Sequence, residues 1–137
     1  MEVCVLASGS RGNSIYVSGG GTSLLVDAGL SARELTARLR TAGIAPGSLR
    51  GILLTHDHED HYRGIEILGR KHALPLFANE GTASGIEARC PKGVFQWQIF
   101  ETASTFEVGD LRVEAFTVSH DAADPVGFVF DDGTSPL

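Results

Sequence analysis

An α/β sequence of α+β character, folding as one domain, is what three features of these 137 residues predict. Apolar segments flank the reversal Gly19-Gly20-Gly21, a second pair flanks Gly109-Asp110, and between them a β-α-β passage runs from Gly51 to Phe77. Short glycine-bearing reversals between apolar runs are hairpin signals. The length suits one compact domain of ordinary size and is too short for two.

The elements follow in order. Val3 to Ala7 reads as a buried strand, Ser8 to Asn13 as a loop, Ser14 to Val17 as a strand, and Thr22 to Asp27 as its hairpin partner centred on Leu24, Leu25 and Val26. Ser31-Ala32-Arg33-Glu34 fits a capping box, so a helix starts there. Leu35 and Leu39 fall at i and i+4 on its apolar face, and Gly43 is placed as its stop. After the Pro46-Gly47 loop, Gly51 to Thr55 is a short buried strand. Ile65 and Leu68 suit a helix from Tyr62 to about His72, and Leu74 to Phe77 returns as a strand. A short helix over Thr82 to Arg89 and a strand over Phe95 to Phe100 follow. Ser104 to Val108 and Leu111 to Val118 form the second hairpin, and Val126 to Phe130 is the last strand.

Composition narrows the function classes. The apolar fraction of 42% and charged fraction of 20% are those of a folded globular chain. No apolar run approaches the roughly 20 residues that span a bilayer, and the start Met1-Glu2-Val3-Cys4 lacks the basic region of a secretory signal. The expectation is a cytoplasmic protein. Cys4 and Cys90 show no CxxC spacing, which argues against a thiolate zinc cage or redox pair and for two buried ordinary thiols. A net charge of −6 gives no bulk attraction for nucleic acid, so phosphate affinity has to be local, for instance at a metal.

The chemistry concentrates in His56-Asp57-His58-Glu59-Asp60-His61, directly after a buried strand. Imidazole and carboxylate are the donors that zinc, manganese and iron accept. Three histidines in so short a turn have no evident packing purpose, which sets a metal site above the alternative of a solvated charged turn. A catalytic site needs three spaced donors around an open position, and a distant histidine such as His120 is a natural third ligand. His72 reads as structural, Asp57 and Glu59 as charges that tune the site. The loop Ser8 to Asn13 could present backbone N–H groups to an anion, or be an ordinary turn.

The run Thr55 to His61 resembles the HxHxDH signature of the metallo-β-lactamase superfamily. Leu24-Leu25-Val26-Asp27-Ala28-Gly29 resembles that family's first conserved aspartate, and Ser119-His120-Asp121 its third motif. The loop Ser8 to Ser14 and the stretch His120 to Phe130 are similar to the YycJ (WalJ) branch. The resemblance implies an αββα sandwich of which this chain is the N-terminal half. It makes His56, His58 and His120 ligands of a first metal ion, and gives Asp60 and His61 to a second, with Asp60 also the catalytic candidate. Asp27 lies behind the ligands, orienting a histidine through its free ring nitrogen. The implied cofactors are two divalent ions, zinc or manganese with iron also compatible.

Two ions side by side turn water into a metal-bound hydroxide at neutral pH, and no serine or cysteine nucleophile with an adjacent base competes with it. Hydrolysis is therefore the expected reaction. For a complete protein the YycJ branch implies a phosphodiesterase, a 5′ to 3′ DNA exonuclease, with DNA as substrate and no membrane partner. A small-ester or thioester hydrolase of glyoxalase type is the alternative enzyme. A different class of reading is a non-catalytic metal-binding fragment: the family's fourth and fifth motifs do not appear before Leu137, so the domain 1–137 is expected to be truncated and its second metal site incomplete. With the two sheets assigned one to each half, Val3 to Ala7, Leu24 to Val26, Ile52 to Leu54 and Val126 to Phe130 would expose an apolar face, and self-association is expected.

Overall fold

The computed structural model describes residues 1–118 and 125–134. Strands β1 (Glu2–Ala7), β2 (Ser14–Gly19) and β3 (Thr22–Val26) form an antiparallel meander. The reversal between β2 and β3 is the pair Gly20-Gly21, both at positive φ, as a two-residue hairpin turn twisted to match its strands requires. Helix α1 (Ala32–Thr41) starts at Ser31, whose hydroxyl accepts from the Glu34 amide at 3.2 Å, and it buries Leu35 and Leu39. It ends where Gly43 takes a φ of +78° and the Ile44 amide reaches back to the Leu39 carbonyl.

The chain then enters β4 (Ile52–Leu53), α2 (Glu59–Tyr62), α3 (Ile65–His72), β5 (Leu76–Ala78), α4 (Glu80–Arg89) and β6 (Trp97–Ile99). The single helix expected from Tyr62 to His72 is thus two, divided at Gly64. The Gly64 amide donates to the Ala28 carbonyl, and a Cβ there would lie 2.5 Å from the Leu30 carbonyl oxygen, so tertiary contact breaks the periodicity. Helix α4 begins before the expected Thr82, because Asn79 caps it by accepting from the Thr82 amide at 2.9 Å. Strand β6 is shorter than the expected Phe95 to Phe100. Strands β3, β4, β5 and β6 run parallel, giving a six-stranded sheet in the order β1-β2-β3-β4-β5-β6.

Strands β7 (Thr105–Val108), β8 (Leu111–Thr117) and β9 (Val126–Asp131) make a separate antiparallel sheet. Side chains alternate across the larger sheet. Leu25, Ile52, Leu54 and Leu76 face the helices and pack with Leu35, Leu39, Ile65, Leu68 and Ile86. Val17, Leu24, Val26 and Leu53 face the smaller sheet and pack with Val108, Leu111, Val113 and Phe130. The layers are helices, six strands, then three strands. The expectation of one sheet per half is therefore corrected: this chain contributes to both sheets and covers β3 and β4 on both faces. What stays open on the inner face of the large sheet is its edge, where Val3 and Val5 of β1 are 46% and 60% exposed. The expected apolar face is reduced to that edge strand. Cys4 and Cys90, expected to be buried, are half-buried against the helical core.

Candidate metal centre

The carboxyl ends of β3, β4 and β5 lie along one edge of the sheet, the edge at which open α/β sheets bind their ligands. Asp27 follows β3 in the left-handed region at φ +63°, a conformation aspartate tolerates better than most residues. Its amide donates to the Leu53 carbonyl at 2.7 Å, and its own carbonyl accepts from the Ser14 hydroxyl at 2.8 Å. This turn buries the carboxylate beside the end of β4. There Oδ1 accepts from the Thr55 amide at 2.8 Å, and Oδ2 accepts from the Thr55 hydroxyl at 2.7 Å and meets His61 Nδ1 at 2.6 Å.

Around that carboxylate three imidazoles gather. The ring of His56 is 3.9 Å from that of His61 and 4.8 Å from that of His58, centre to centre. Thr55 Oγ1 is 2.8 Å from His56 Nδ1, so one hydroxyl serves both Asp27 and His56. Asp60 sits on the far side of His61, its Oδ2 3.4 Å from Nε2. Burial pushes the His61 pKa down, but the hydrogen bond and charge of Asp27, joined by the charge of Asp60, outweigh it and hold the ring above its ordinary 6.5.

The structure therefore brings together Asp27, His56, His58, Asp60 and His61, five of the six residues singled out in the sequence; His120 lies outside the described residues. Among the described residues no group of three or more such side chains has its donor atoms drawn in around one point. The donor set nonetheless suits a hard or borderline divalent cation, since it consists of imidazole nitrogen and carboxylate oxygen with no sulfur. Val126, the first residue of β9, donates its amide to the Thr55 carbonyl at 2.8 Å and so ties the smaller sheet to this edge.

Other residues hold the centre from outside. Asp57 is buried, and its carboxylate lies 3.3 Å from the Arg89 guanidinium of α4, which also donates to the Asp57 carbonyl. A Cβ on Gly85 would stand 2.2 Å from Asp57 Oδ2, so α4 offers a glycine where the carboxylate lies against it. Glu59 is exposed and pairs with Arg63 one turn on. His72 lies at the end of α3, away from this cluster. The loop before β2 is turned inward: the Gly9 amide, a candidate anion donor, is committed to Asn13 Oδ1 at 3.1 Å. Gly29 is wedged so tightly that a Cβ there would lie 1.7 Å from the Asp60 carbonyl oxygen. Asn13, Thr55 and Arg89 are not individually named as site residues from the sequence; Asn13 and Thr55 lie in stretches that carry the resemblance, whereas Arg89 has no local signal.

A family model for the beta-lactamase superfamily domain matches residues 22–137. The chain belongs to the β-lactamase superfamily. It is 42% identical over 140 residues to exodeoxyribonuclease YycJ of Bacillus anthracis, covering 100% of this chain and 52% of that protein. It is 43% identical over 129 residues to exodeoxyribonuclease WalJ of Streptococcus pneumoniae, covering 92% of this chain and 48% of that one. This superfamily member thus spans about half the length of the curated relatives it matches. Among solved structures, the Rm3 metallo-β-lactamase superposes with a TM-score of 0.79 at 21% identity, over 98% of this chain and 56% of that one, which shows the metallo-β-lactamase fold.

Proposed function

We propose that the chain carries the N-terminal part of the active site of a metal-dependent hydrolase, and that the whole protein is a DNA exonuclease of the YycJ type. The observation that carries this reading is the gathering of His56, His58, His61 and Asp60 at the end of β4, with Asp27 fixing the His61 ring. Support for the substrate comes from relatives named exodeoxyribonuclease, which match along nearly all of this chain.

His56 and His58, with His120, would hold a first divalent ion; Asp60 and His61 would hold a second. When bound, such a pair would supply a hydroxide at neutral pH and would neutralise charge on the phosphate. The chain's residues do the positioning. Asp27 engages His61 Nδ1 and so directs the opposite nitrogen, Nε2, toward Asp60. Thr55 bridges Asp27 and His56, and since Asp27 also engages His61, the His56 and His61 rings share one framework. Asp57, paired with Arg89 through its carboxylate and its carbonyl, ties the stretch between His56 and His58 to α4. Zinc and manganese both suit this donor set.

The test is hydrolysis by the full-length protein of 3′-labelled DNA, of a bis-phosphodiester dye and of a thioester, with zinc and manganese varied. Stepwise 5′ to 3′ shortening of DNA is expected, and its loss in His58→Ala and in His120→Ala together with one ion. Turnover of the thioester with inert DNA would replace the nuclease by a glyoxalase-like enzyme. Near-normal turnover with full metal content in either variant would remove that histidine from the ligand set.

A further inference from the structure

We propose that Asn13 is a positioning residue for the second metal ion: its side-chain amide holds the Asp60 carboxylate and backbone where a ligand is needed. The inference rests on the reading of Asp60 as a ligand. Asn13 Oδ1 accepts from the Gly9 amide at 3.1 Å, which fixes the orientation of the amide group, since only the oxygen can accept. Nδ2 therefore faces the acceptors. It donates to Asp60 Oδ2 at 3.0 Å, to the Asp60 carbonyl at 3.3 Å and to the Gly9 carbonyl at 2.9 Å, and stands 3.3 Å from His61 Nε2.

The backbone reinforces the side chain. The Asn13 amide donates to the Asp60 carbonyl at 2.7 Å, and the Asn13 carbonyl accepts from Gly29 at 2.9 Å. Asn13 is thus bonded to Asp60 across 47 positions of sequence, a tertiary restraint and no mere turn preference. One carboxylate oxygen of Asp60, Oδ2, is held by a neutral donor. An asparagine meets this need where its neighbours in chemistry fail. Aspartate would oppose carboxylate to carboxylate, serine is too short to reach Oδ2, and glutamine would add a methylene where the backbone is pinned on both sides. Support of this kind for a ligand changes metal affinity by about 10- to 100-fold.

A purely structural role, closing the loop on Gly9, predicts something different, and Asn13→Asp separates the two. That variant keeps an oxygen for the Gly9 amide and loses the donor to Asp60. In the full-length protein, the two dissociation constants for manganese and the ions bound after dialysis are measured for wild type, Asn13→Ala, Asn13→Asp and Asp60→Asn. We expect the second ion to be weakened about 10- to 100-fold in both Asn13 variants and the first to change less than about twofold. Unchanged second-ion affinity in Asn13→Ala, or affinity restored in Asn13→Asp, would overturn the assignment while Asp60→Asn still loosened that ion. A wild-type protein that holds no second ion, or an Asp60→Asn variant that keeps it, would overturn the ligand reading and this inference with it.

Discussion

The parallel strands have two ends, and they are built differently. At the amino ends the contacts are made by backbone: Arg50 donates to Ser23, Leu25 to Gly51, Ile52 to Pro75 and Leu76 to Gln96, at 2.7–3.1 Å. Side chains contribute little there, and buried His72 Nε2 has no hydrogen-bond partner among the described residues. At the carboxyl ends the contacts run through side chains, with Asp27, His56, Asp57 and Asn79 all buried and each bonded or ion-paired to a residue on another segment or an adjacent one. Backbone bonds form with almost any side chain, so the hydrogen bonds of the first edge do not depend on which residues make them. The second edge depends on identity, because a buried polar group that loses its partner keeps its full desolvation cost, about 1–3 kcal/mol.

Four substitutions would break or sharpen this contrast. The largest effect is expected for Gly29→Ala, whose methyl group would overlap the Asp60 carbonyl and crowd the Asn13 amide, both backbone atoms that cannot swing aside. A loss of about 3 kcal/mol or more in urea unfolding is expected; a loss below about 1 kcal/mol would show that the loop is free to withdraw.

Next is Asp27→Asn, expected to cost about 2 kcal/mol in the metal-free protein by weakening three bonds to a charged acceptor. Its pH dependence is distinctive. The folded pKa of His61 is raised, so the contribution of protonated His61 is complete below the ordinary 6.5 and is lost as pH rises through the folded value. The gap between wild type and Asp27→Asn should accordingly shrink above pH 6.5. Metal binding should tighten over the same interval, because His61 must shed its proton to coordinate. A gap that widens with pH in chelator-treated samples would contradict the pairing.

Smaller again is Arg89→Ala. Asp57 is buried, but the arginine is half exposed, and solvent replaces part of what it provides. About 1 kcal/mol is expected, read as a lower thermal midpoint with metal stoichiometry retained. His72→Ala closes the series at the opposite edge, with a change below about 0.5 kcal/mol and no effect on bound metal. Loss of an ion from that variant would dissolve the distinction between the two edges.

Much of this was legible in the sequence, for local reasons. The hairpin at Gly109-Asp110, the Ser31 cap and the Gly43 stop each act within a few residues, and the histidine run states its chemistry in one turn. What escaped has partners far away. Gly64 divides a helix because of Ala28 and Leu30, and Asn13 and Arg89 look like loop and surface residues until β2 and α4 carry them to the site. The Asn79 cap is readable in principle, since asparagine before a helix is a start signal. The division of strands between two sheets is not written in periodicity at all, because alternation tells which residues are inside and not which sheet they face.

The lock around Asp27 also has a direction in time. Every partner named in it, from Asn13 and Ser14 through Thr55 to Asp60 and His61, precedes residue 62, whereas the Arg89 restraint on Asp57 comes some thirty positions later. A chain emerging from the ribosome at about 5–20 residues per second makes the whole lock available more than a second before α4 exists. The residues of this polar centre are therefore all synthesised before those of α4, and Arg89 restrains Asp57 from a later stretch of the chain.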